Sequence, residues 1–60
     1  MNIKKMRVTA GLSQIDLAYR SGVSRFRLFL IERGYQQPNV KEAEKLKAFF
    51  RNLEKSEMTK

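Results

Sequence analysis

The chain has 60 residues and a mass of 7.1 kDa, room for one small domain that buries only about 60% of its unfolded surface and is marginal without a partner. It contains no Cys and no His, which excludes disulfides, thiolate or imidazole catalysis and zinc sites built from those ligands. Thirteen Lys and Arg against six Asp and Glu leave a net charge of +7, which favours an anionic partner: nucleic acid first, then an acidic membrane surface, then an acidic protein.

In chain order, Asn2 caps a first helix that carries Ile3 and Met6 on one face and ends at Gly11. Ser13 caps a second, with Asp16 at its third position against the positive end of the helix dipole. This helix turns Leu17 and Ala18 inward and stops at Ser21-Gly22. Ser24 caps a third helix, which ends with Gly34 just past its last residue. Arg25-Phe26-Arg27-Leu28 alternates as a strand would, but a Ser cap, a terminal Gly and the Leu28–Ile31 spacing favour a helix. Pro38-Asn39 opens a fourth, with Asn39 as cap, Glu42 reaching back to it, and a stripe of Val40, Ala43, Leu46, Phe50 and Leu53.

The expected architecture is all-α, with a domain over residues 1–53 and a frayed tail over residues 54–60. Its expected core is Ile3, Met6, Leu12, Leu17, Val23, Leu28, Ile31, Val40, Leu46 and Phe50. The longest apolar run, Leu28-Phe29-Leu30-Ile31, is far short of the ~20 residues that span a bilayer. No apolar segment follows Lys4-Lys5, so no secretory signal is expected and the chain reads as soluble and cytoplasmic. No nucleophile–base pair, paired carboxylates or phosphate-cradling glycine loop is present. Neither an enzyme nor a cofactor or metal requirement is expected.

Gln14 to Arg33 make one unit in which each key position has a physical role. Ala18 is small where two helices cross. Gly22 supplies the left-handed backbone of a tight turn, and Val23, Leu28 and Ile31 plug the core beneath while Leu17 closes it. The outer face of the third helix is left free to enter a major groove, as in a helix-turn-helix. Charge agrees: residues 1–40 hold seven basic and two acidic groups, residues 41–60 six and four.

These features, together with Met6-Arg7, Gly11-Leu12-Ser13-Gln14, Gly22-Val23-Ser24, Ile31-Glu32-Arg33-Gly34 and Pro38-Asn39-Val40, resemble the phage repressor/Cro-type helix-turn-helix domains of the XRE family. The resemblance runs from Ile3 to about Phe50. It implies a lambda repressor-like bundle of four to five helices that binds double-stranded DNA, usually as a homodimer on a palindrome, and regulates transcription. Two departures stand out: no fifth helix is expected over residues 51–60, and the third helix is unusually apolar.

The resemblance implies a phosphate contact for Gln14 and a structural ion pair between Arg7 and Glu32. Ser24 is a cap whose hydroxyl bonds the Arg27 amide or leans on a phosphate. Arg25, at the start of the third helix, is placed to take both acceptors of a guanine, the alternatives being a phosphate clamp or a solvated charge. Arg27 is expected on a phosphate or in solvent. Arg33 and the loop containing Tyr35 should run beside the DNA backbone. Phe26, Phe29 and Leu30 face outward, either toward thymine methyls or as the hot spot of a protein partner. Phe49 and Leu53, on a flank that a fifth helix would cover, are the expected dimer surface. The leading functional expectation is therefore a DNA-binding repressor, associated with the nucleoid. The alternative is an antitoxin or adaptor module using Phe26, Phe29 and Leu30.

Overall fold

The computed structural model describes residues 2–58, with side chains described through Lys55. Four helices and no strands occur among these residues: α1 (Ile3–Thr9), α2 (Gln14–Ser21), α3 (Arg25–Glu32) and α4 (Val40–Met58).

Each helix start is fixed by the residue expected there. The Asn2 carboxamide oxygen accepts from the Lys5 amide at 3.0 Å, and the Ser24 hydroxyl accepts from Arg27 at 3.1 Å. Ser13 and Asp16 make a reciprocal capping box, the Ser13 hydroxyl accepting from the Asp16 amide at 3.0 Å. Asn39 and Glu42 make a second one, at 2.8 and 3.0 Å. The α3 terminus turns through Gly34 at φ 78°, a conformation that costs a residue with a Cβ about 1–2 kcal/mol. There the Gly34 amide donates to Ile31 (3.1 Å) and the Tyr35 amide to Leu30 (2.9 Å), satisfying the last carbonyls of the helix.

α2 packs on α3 and α4, and α1 on α3. The buried core is Ile3, Leu17, Val23, Leu28, Leu46 and Phe50, with Met6, Ala18, Ile31, Phe49 and Leu53 packed partly against it. Leu17, Leu28 and Leu46 are wholly buried, and each contributes about 1.5–3 kcal/mol relative to exposure. One leucine from each of the last three helices thus fixes where α3 sits.

Two core expectations need correction. Val40 is 75% exposed. It is the first residue of α4, and because side chains tilt toward a helix N-terminus, its own is aimed off the end. Leu12 is only half-buried. The frayed tail expected over residues 54–60 falls partly outside the described residues, yet the α4 backbone continues helical to Met58. No helix among the described residues is long and apolar enough to cross a membrane.

Candidate nucleic-acid interface

Two ion pairs hold α3. The first is the expected Arg7–Glu32 pair: Arg7 Nε donates to Glu32 Oε2 at 2.8 Å and Nη2 to Oε1 at 3.0 Å. The third nitrogen, Nη1, donates to the Leu12 carbonyl at 2.7 Å, so one guanidinium joins α1, the α1–α2 loop and α3. Burial opposes ionisation of Glu32, whose side chain is 3% exposed. Hydrogen bonds from Arg7 and Gln14, with the charges of Arg7 and Lys4, outweigh it and hold the carboxyl below its ordinary range.

Gln14, the first residue of α2, donates its carboxamide to Glu32 Oε1 at 3.0 Å. The side chain is thereby fixed, and the second N–H of that amide remains for another acceptor. Lys4 and Arg33 line the same cleft as Gln14, Arg7, Glu32 and Phe29. Lys4 was not singled out by the sequence, because its place opposite Arg33 depends on how α1 docks on α3.

The second pair, Arg27–Glu42, has no signal in the sequence pattern. Arg27 turns back into the protein instead of toward phosphate or solvent. Its Nε donates to Glu42 Oε2 at 2.8 Å, Nη2 to Glu42 Oε1 at 2.9 Å and to the Gln37 carbonyl at 3.2 Å, and Nη1 to the Gln36 side chain. The Arg27 hydrogen bond, then the Asn39 amide, overcome burial and push the Glu42 carboxyl down to about 2. The sequence marks Glu42 only as a capping residue.

The outward face of α3 divides unevenly. Arg25 and Phe26 are exposed, Phe26 at 68%. Phe29 is 37% exposed, with Tyr35 edge-on at 6.4 Å and the Arg33 guanidinium 5.2 Å from its ring centroid. Leu30, expected outside, is half-buried. The turn after α3 explains this: Tyr35 and Gln36 both donate to the Leu30 carbonyl, and such a cap brings the returning chain back over that residue. The expected trio is therefore one free ring, Phe26, beside a Phe29–Tyr35–Arg33 cluster. Phe49 and Leu53 are half-buried against their own core, and Phe49 meets Phe50 edge-on at 5.2 Å.

Two short helices, a glycine turn at φ 82° and an exposed second helix locked from both sides define a helix-turn-helix. The chain belongs to the XRE-type helix-turn-helix family, whose model, described as Helix-turn-helix, matches residues 3–55. This is a DNA-binding domain of the transcription-regulator kind. Searches of curated proteins and of solved structures returned no match.

Proposed function

We propose that this domain represses transcription by reading an operator through the major groove with α3, as a homodimer on a two-fold site. The observation that carries the reading is the pairing of an exposed α3 start with a fixed cationic cleft. Arg25 and Phe26 stand free at one end of the helix, while Gln14, Lys4 and Arg33 gather where α2 begins and α3 ends. In this reading Arg25 takes guanine and Phe26 meets a neighbouring thymine methyl. The Gln14 and Ile15 amides at the start of α2, which have no intrahelical partner, take a phosphate together with the Gln14 side chain, while the Asp16 amide stays with the Ser13 cap, and Arg33 takes another. Ser24 stays a cap, and Arg7, Glu32 and Arg27 act inside the protein. Tyr35 and Phe29 support Arg33 beside the backbone.

Selection of bound duplexes from a random pool, at two salt concentrations, tests this. The expected result is a two-fold symmetric consensus whose affinity falls steeply with salt. Failure to enrich any sequence would refute it. The exposure of Phe26 favours one other reading, in which that ring docks on a protein; capture of a partner that Phe26→Ala abolishes, with no duplex enriched, would establish it.

A further inference from the structure

The segment joining α3 to α4 carries Tyr35, Gln36 and Gln37, all exposed beside the α3 face. At its start it is held by hydrogen bonds that the Gly34, Tyr35 and Gln36 amides donate to the Ile31 and Leu30 carbonyls, and at its end by the Asn39–Glu42 capping box. Between these anchors, Arg27 crosses the base of the loop. Its single planar fork reaches the Gln36 side chain, the Gln37 carbonyl and the Glu42 carboxylate. Helix, loop and the next helix are thus joined at one guanidinium. The charge of that guanidinium is met at 2.8 Å by Glu42, so it is a poor candidate for phosphate neutralisation.

We propose that Arg27 is a positioning residue for DNA binding: it ties the Tyr35–Gln37 loop and the α4 start to α3, so that helix and loop meet the duplex as one preset surface. The role rests on the DNA-binding reading above. Without the tie, the loop and its glutamine side chains are ordered at the moment of binding, which lowers affinity without removing a phosphate contact. Lysine keeps the charge but presents its three donors from one nitrogen, so it cannot span the separated partners that the planar fork reaches.

The test compares Arg27→Ala, Arg27→Lys and Glu42→Ala with the wild-type chain on the selected duplex, across a salt series and below each variant's melting temperature. All three variants should bind about tenfold more weakly, the equivalent of ordering one or two long side chains at the interface. All should keep the wild-type salt slope. Amide exchange of Tyr35 to Gln37 in the free protein should accelerate in each.

A slope flattened by about 0.9 per protomer in Arg27→Ala, about 1.8 for the dimer, would make Arg27 a phosphate contact and overturn the proposal. Wild-type affinity in Arg27→Lys would do the same. So would tighter binding by Glu42→Ala, the result expected if removing a negative charge were all that mattered. Unchanged loop exchange would also overturn it. If the wild-type chain binds no duplex, the DNA reading fails and this role with it. Wild-type binding with unaffected variants defeats this role alone.

Discussion

Arg7→Ala is a severe single change outside the hydrophobic core. It removes both hydrogen bonds from the guanidinium to Glu32 and the one to Leu12, and leaves a carboxylate that is 3% exposed with Gln14 as its hydrogen-bond partner. Breaking a buried pair from one side costs about 3–5 kcal/mol. Arg7 is itself 13% exposed, so water reaches the gap and the cost falls to about 3 kcal/mol, the low end. At about 4–8 °C per kcal/mol for a domain this small, melting should drop by about 12–24 °C. Total stability for 60 residues is about 3–9 kcal/mol, so the variant keeps about 0–6 kcal/mol and is close to unfolded at the low end.

The pH dependence provides an internal check. In the wild type, the Glu32 pKa lies below its unfolded value, so the stabilisation is present above about pH 4.3 and is lost as pH falls. Without Arg7, burial raises the folded pKa, and the variant gains stability as pH falls through that value. The gap between the two proteins is therefore widest at neutral pH and narrows toward pH ~4. Arg7→Met with Glu32→Leu should be milder than Arg7→Ala, since it leaves no buried charge. Circular-dichroism melts at both pH values measure all of this. An Arg7→Ala melt within about 4 °C of the wild type at neutral pH, equivalent to 1 kcal/mol or less, would refute the reasoning.

Gln14→Ala and Arg33→Ala should weaken all duplexes alike and flatten the log–log salt slope by about 0.9 per phosphate lost. Arg25→Ala should instead cost about 1–3 kcal/mol at one base pair of the consensus; an unchanged consensus would remove it from base readout. Acid titration should show stability falling from about pH 4.5 toward 2 as Glu42 protonates, because its folded pKa is depressed to about 2. Glu42→Gln should remove that part of the acid response, and an unaltered titration would contradict it. Self-association, measured by sedimentation, should weaken in Phe49→Glu and Leu53→Glu; a chain that is monomeric both free and on DNA would exclude the dimer.

The features legible in the sequence are those set by local chemistry. Asn2, Ser13, Ser24 and Asn39 cap helices because a short polar side chain reaches an amide two or three residues on, whatever the rest of the chain does. Gly22 and Gly34 stop helices because only a residue without a Cβ adopts positive φ cheaply. The Arg7–Glu32 pair, 25 residues apart, was legible only through the family resemblance. Arg27–Glu42 had no such guide: period alone put Arg27 on a flank of α3, and only the path of the loop brings Glu42 under it. Leu30 failed for the same reason, since helical geometry describes a helix face but not the chain that folds back over its end. Val40 failed because periodicity takes no account of where a helix begins.

The central claim, that the free end of α3 lies in a major groove, is tested most directly by replacing thymine with uracil in the selected consensus. This substitution removes only methyl groups, which lie in that groove. With Phe26 against one of them, wild-type binding should weaken by about 0.5–1.5 kcal/mol per methyl, scaled from about 0.8 kcal/mol per buried CH₂, and Phe26→Ala should be insensitive to the change. Equal binding to thymine and uracil duplexes, with Phe26→Ala binding as the wild type does, would take the ring out of the groove and contradict the account.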